Sequence, residues 1–415
     1  MGKDKMSSNR IRLAQACDQL ILFSIYAIAF FLPISKAIIE ALSIFAIFVY
    51  VLKKSSTRQG VGKSNLNTAV FVYLIICFFS IFVSPSLRIS ARTFFAKTLQ
   101  NILFFFAAAE TLNSKRRFRN FIFILFFSSL VLGVDGIYQY FSHKDFLRNR
   151  IHLFEKNIHA SFHTPNDLAC YLITVLPLFI VSFFASLRYR LSRILHTGLF
   201  ILLTVCLILT FSRGAWFGFL ASVVFLSFWL RSVGAAFLLL VLLILALKPF
   251  LPDMINLRLD NLFAFLDADN LRDVGMIERK VIWRAGWKMF AFRPLIGLGL
   301  GTFMLNFKKF AAPAYPYGPF YAHNCYLQML SEIGILGLGS FLAVLFIFFF
   351  KGVRAVNSSR EKGLSWYVLL GSLAAILGYS VQMGVDTNLY SLDLGLLFWL
   401  ILALGVGAVK EIREG

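Results

Sequence analysis

A chain of 415 residues with 59% hydrophobic content, 48 phenylalanines and only 15% charged residues carries more apolar surface than a soluble fold of this size can hide. It reads as a polytopic membrane protein. Its formal net charge of +21 comes in short basic clusters between apolar runs, a pattern set by membrane topology, which argues against nucleic-acid binding.

Five cysteines, Cys17, Cys77, Cys170, Cys206 and Cys325, are scattered through the chain with no CxxC and no histidine spacing suited to zinc. That argues against a structural metal or a disulfide framework. The first 17 residues are basic and polar, and no small-residue cleavage site follows the first apolar run, so the first span is expected to be retained.

Apolar runs of span length fall at 18–35, 37–52, 67–84, 94–112, 119–141, 165–186, 191–210, 214–230, 233–250, 323–350, 364–384 and 391–409. The fold class expected is therefore all-α, with about twelve transmembrane helices. Lys3, Lys5, Arg10 and Arg12 precede the first run; Lys53, Lys54, Arg58 and Lys63 follow the second; Lys115, Arg116, Arg117 and Arg119 follow the fourth. Arg188, Arg190 and Arg193 follow the sixth, Arg231 the eighth, Lys351, Arg354, Arg360 and Lys362 the tenth, and Lys410 and Arg413 the last. By the positive-inside rule these connections and both termini are cytoplasmic, and the odd-numbered connections face outward. Three regions follow: 1–250 with nine spans, an outward loop of 72 residues at 251–322, and 323–415 with three more spans.

The last of these regions opens on AHNCYLQMLSEIGILGL. From His323 to Phe350 there are 28 residues, about 42 Å of helix against a hydrocarbon core of about 30 Å, so His323 is expected at or above one membrane surface. Gly334, Gly337 and Gly339 read as a small-residue seam for close helix packing.

The outward side collects the unusual polar residues. FSRGAW forms a very tight turn between the seventh and eighth runs and puts Arg213 near the surface, where it needs an anion or must snorkel to lipid headgroups. In the large loop, 277–292 reads as an amphipathic helix lying in the interface. Val281, Ile282, Ala285, Met289 and Phe292 share one face, and Lys280, Arg284 and Lys288 form a basic stripe. Arg279 and Arg284 stand about 140° apart on this wheel, so Arg279 is favoured for the site and Arg284 for the interface.

Further along, RPLIGLGLG at 293–301 resembles a phosphate cradle only superficially, because no strand precedes it and no Lys-Ser/Thr follows. A loop that lets backbone pass close to a span is the better reading. Asp267 and Asp269 have the DxD spacing of metal-dependent sugar transferases, a spacing that is also common in polar loops. His143, His152, His159 and His163 suit no compact metal site and are expected mostly to face solvent. Asp386, in GVDTNLYSLD, either orients His323 or holds its own loop.

One histidine and outward arginines, without convincing metal ligands, suit transfer of a group from a phosphate-type donor. Planar guanidinium groups bind a departing diphosphate two-pronged and supply the charge a metal ion otherwise would. A sugar hydroxyl is a poor nucleophile, and neutral His323 would take its proton.

FSRGAW, the run Arg279-Lys280-Val281-Ile282-Trp283 leading into RPLIGLGLGTF, HNCYLQMLSEIGILGL, and HTPNDLACYL at 163–172 together resemble the O-antigen ligase and O-antigen polymerase superfamily. The resemblance covers roughly 160–340 in order. It implies a GT-C-type membrane glycosyltransferase with a periplasmic active site and one large periplasmic loop containing amphipathic helices. The implied donor is an undecaprenyl-diphosphate-linked glycan, used without nucleotide sugar, metal or other cofactor. A ligase passes the glycan to lipid A–core oligosaccharide and a polymerase to another lipid-linked repeat; ligase is favoured by the short loops outside 251–322. Carried over by position, Arg213 and Arg279 hold the diphosphate and His323 is the base, while Lys280 and Arg284 match less well. A transporter or flippase would instead need ionisable groups along the span interiors, where Lys97, Glu110, Asp135 and His196 are the chief ones.

Overall fold

The computed structural model of the protein describes residues 8–58, 60–62, 64, 66–151, 157–185, 190–235, 274–311 and 321–414. Among these residues the fold is helical, with no strand. The DxD pair, His152, Arg188 and most of the ninth apolar run lie outside them.

Seven described helices are long and apolar enough to cross a membrane, and Asn67–Phe79 and Arg213–Ser227 are shorter apolar helices. Lys36–Thr57 is interrupted in its apolar character by Glu40 and two terminal lysines. The fourth apolar run belongs to a continuous helical stretch, Leu87–Thr93, Phe94–Leu99 and Gln100–Thr111, whose middle segment is wound as a π-helix. Lys97 on that π segment donates to the carbonyl of Tyr390 at 2.9 Å.

The connections sort to two ends. At one end Arg148 reaches the carbonyl of Ile34 at 3.1 Å, Lys36 pairs with Asp393 at 3.1 Å, Arg293 donates to the carbonyl of Val83 at 2.7 Å, and Gln382 donates to the carbonyl of Asn166 at 3.3 Å. At the other end Lys53 pairs with Asp18 and Lys54 with Glu110, both at 2.6 Å, and Trp229 donates to Asn357 at 2.8 Å. Odd-numbered connections therefore meet at the first end and the basic, even-numbered ones at the second, the alternation the charge pattern requires.

The centre is built on Leu364–Met383, which packs on Pro165–Ala185, Arg213–Ser227 and Leu392–Glu414. Small residues permit the approach: a side chain at Gly218 would meet the carbonyl of Gly378, and Ser222 donates to the carbonyl of Ala374 at 2.8 Å.

The helix after His323 departs from the reading of one unbroken segment. It runs Cys325–Ser358, and Gly334 interrupts it with φ 67° and ψ −170°. The backbone groups this frees are taken up by the glycine loop. Leu298 and Gly299 donate to the carbonyls of Ser331 and Glu332 at 3.0 and 2.8 Å, while Ile335 and Leu336 donate to those of Pro294 and Leu295 at 2.8 and 3.3 Å. Irregular backbone at membrane depth is tolerated only where protein satisfies it in this way. The loop reading of 293–301 holds; the seam reading of the three glycines does not. Gly334 is the break itself, Gly337 faces Ile333 of its own helix, and Gly339 opens on free space.

Helix Val274–Phe292 buries Ile282, Ala285 and Met289 against the Cys325–Ser358 helix and the short helix Phe303–Phe310. Phe292, placed on that face by its spacing, is exposed instead, because the helix ends there and the chain turns into the loop. Of the loop histidines, His143 and His163 are exposed, but His159 is buried, its Nδ1 2.9 Å from the carbonyl of Phe162.

Candidate active site

His323 occupies the residue before a helix cap, with φ 48°, a left-handed conformation uncommon for a residue with a side chain. Its neighbours fix it there. Asn324 caps the helix by accepting the amide of Leu327 at 2.9 Å. The amide of Ala322 goes to Gln328 at 3.2 Å and its carbonyl takes the indole N–H of Trp283 at 2.9 Å. The amide of Cys325 goes to the carbonyl of Asp386 at 3.2 Å. Four separate contacts thus over-determine a strained position, the usual condition for strain to persist.

Asp386 lies beside both the helix start and the imidazole. Its carbonyl holds the start of the helix, and its Oδ1 takes the amide of Thr387 at 2.7 Å while standing 3.8 Å from Nδ1 of His323. At that distance the pair is in Coulombic reach but not hydrogen-bonded, and Nδ1 has no hydrogen-bond partner within the described protein. A small inward movement of either group would let Asp386 accept a hydrogen bond from Nδ1 of the imidazole.

Each arginine sits on a helix that touches this place through a nearby residue. Arg213 begins helix Arg213–Ser227, straight after a turn in which Phe211 has φ 52°. A side chain on the adjoining Gly214 would collide with Val385, next to Asp386, so the Arg213 turn sits against the Asp386 turn. Arg279 lies one turn before Trp283, on the same side of helix Val274–Phe292 that is tied to Ala322. Arg213 and Arg279 are half-buried; Arg284 is exposed. The division between Arg279 and Arg284 drawn from the helical wheel thus has a counterpart in their burial.

Two groups escaped the sequence reading. Glu332, 1% exposed, accepts the amides of Gly301 at 2.8 Å and Phe303 at 3.1 Å, and Gln328 donates to it at 3.1 Å. It closes the glycine loop onto the His323 helix and caps helix Phe303–Phe310. The signal that could have found it is a Gln-x-x-x-Glu pair on one face of an otherwise apolar helix, since a carboxylate there must have partners. The second group is Gln382 and Asn388, buried amides that flank Asp386.

Among the described residues no group of three or more His, Cys, Asp or Glu could hold a metal ion, and the five cysteines are buried free thiols. The charge at the site comes from guanidinium groups, a carboxylate and an imidazole, a set suited to anion binding with proton transfer.

No curated protein matches the chain. Residues 198–342 match a family model described as O-antigen ligase. The matched segment contains Arg213, Arg279, Arg284, His323 and Glu332; Asp386 lies beyond it. That match supports a relationship of this segment to the O-antigen ligase and O-antigen polymerase superfamily.

Proposed function

We propose that the protein is a multi-pass transferase of the bacterial inner membrane, with about twelve spans, both termini cytoplasmic and a periplasmic active site. It moves a glycan from undecaprenyl diphosphate to a hydroxyl of lipid A–core oligosaccharide. The observation that carries this reading is the chain of contacts from the Arg213 turn through Val385 and Asp386 to His323, and from His323 through Ala322 and Trp283 to the Arg279 helix.

In the reaction, the acceptor hydroxyl gives its proton to His323 and its oxygen forms the new bond to the anomeric carbon. The bond from that carbon to the diphosphate oxygen breaks, and the electron pair leaves with the undecaprenyl diphosphate. Arg213 and Arg279 stabilise the leaving anion, and Asp386 steadies the imidazolium. The same groups serve a polymerase, whose acceptor is a second lipid-linked repeat.

The test is purified protein with lipid-linked glycan, with and without lipid A–core. Product on lipid A–core identifies a ligase, and elongated lipid-linked glycan a polymerase. Substituting His323→Ala should lower transfer by about 10²–10⁴-fold with donor binding intact. Transfer at the wild-type rate in that variant would remove the base and, with it, the mechanism.

A further inference from the structure

We infer that Gln382 and Asn388, on either side of Asp386, form with Asp386 and Asp167 a subsite that recognises the hydroxyl groups of the acceptor saccharide. The inference rests on the transferase reading and says where its second substrate sits.

The segment from Gln382 to Asn388 joins helices Leu364–Met383 and Leu392–Glu414 and carries the only carboxylate in ion-pair range of His323 among the described residues. Gln382 is 1% exposed; its Nε2 donates to the carbonyl of Asn166 at 3.3 Å, yet its Oε1 has no hydrogen-bond partner among the described residues. Asn388 is 2% exposed, and its Nδ2 likewise has none. Asp386 lies between them, its amide bonded to the carbonyl of Gln382 at 3.0 Å. Asp167 is the residue after Asn166, whose carbonyl Gln382 holds.

Buried amides are nearly always paired, so two unmet groups beside a base call for a ligand that meets them. The chemistry of the unmet groups says which. Gln382 Oε1 and the carboxylates accept; Asn388 Nδ2 donates. A phosphate offers acceptors alone and would leave Gln382 unmet and be repelled by Asp167 and Asp386. A sugar hydroxyl donates and accepts at once and meets all of them. The arginines, which only donate, suit the diphosphate, and the Arg213 turn adjoins this segment where Gly214 meets Val385. An anion subsite and a hydroxyl subsite then adjoin at the base, as a transfer between two glycans requires.

Core oligosaccharide released from lipopolysaccharide by mild acid is titrated into the purified full-length protein by calorimetry, and inorganic diphosphate in a parallel series. Gln382→Met and Asn388→Leu keep volume and remove the polar groups; each should weaken oligosaccharide binding about tenfold and leave diphosphate binding unchanged. Melting temperature in detergent reports folding, and if the apolar variants melt early, Gln382→Asn and Asn388→Ser make the same comparison. Unchanged oligosaccharide affinity in folded variants, loss of diphosphate affinity in its place, or no oligosaccharide binding by the wild type would each overturn the subsite. Because binding is read without turnover, absence of transfer by the wild type would sink the transferase reading while leaving the saccharide subsite standing.

Discussion

Gly334 lies against the carbonyl of Leu295 so closely that a β-carbon would overlap it, at the one point where the helix bearing His323 is interrupted. Gly297 is the reciprocal position: with φ 73°, it faces the carbonyl of Glu332 just as tightly. Two glycines far apart in the chain thus let a loop and a membrane helix share backbone hydrogen bonds.

Gly334→Ala should therefore be among the most damaging single substitutions in the chain. The left-handed backbone alone costs about 1–3 kcal/mol, and the overlap with Leu295 adds to it. The expected result is a melting temperature in detergent several degrees below wild type, with transfer lost in proportion. Gly339→Ala, where the added methyl meets nothing, is the control and should be silent.

Glu332 separates position from chemistry. Removing its carboxylate with Glu332→Ala leaves the amides of Gly301 and Phe303 and the side chain of Gln328 without their acceptor, at about 1–3 kcal/mol for each buried group stranded. Glu332→Gln keeps one acceptor oxygen and should retain much of the stability. If Glu332→Ala melts like wild type, the carboxylate does not fasten the loop.

Arg213→Lys keeps the positive charge but loses the planar fork, so turnover should fall at least about tenfold, as expected when a two-pronged contact to a diphosphate becomes a single one. Arg284→Lys, at an exposed position, should change little. Steady-state transfer rates of the two variants, measured side by side, decide the matter: equal rates would reduce Arg213 to a headgroup anchor.

Chelator should leave transfer unchanged, because guanidinium groups supply the charge that a divalent ion would give to the leaving diphosphate. Loss of transfer on adding chelator, restored by magnesium or manganese, would require a different charge balance at the phosphates.

Much of the fold was legible because membrane spans announce themselves by length and basic clusters by side, and both kinds of signal are local. The alternation of ends follows from them, as does the inward face of Ile282, Ala285 and Met289. His323, Arg213 and Arg279 stood out because a polar residue at a membrane surface must be accounted for. What stayed hidden is what depends on partners distant in sequence. Gly334 looks like any packing glycine until the loop at 293–301 is laid against it, and Glu332 looks like an isolated acid until the amides of Gly301 and Phe303 arrive. Gln382 and Asn388 carry no local signal; only their burial beside Asp386 singles them out.

The shared hydrogen bonds between loop and broken helix bear on biogenesis. The carbonyls of Ser331 and Glu332 and the amides of Ile335 and Leu336 are the i, i+4 partners of an unbroken helix, so without the segment 293–301 they would bond to one another and the helix would run straight through Gly334. The break is thus exchanged for the docked loop bond for bond, and a chain whose loop had not yet seated would carry a straight helix in place of the bent one.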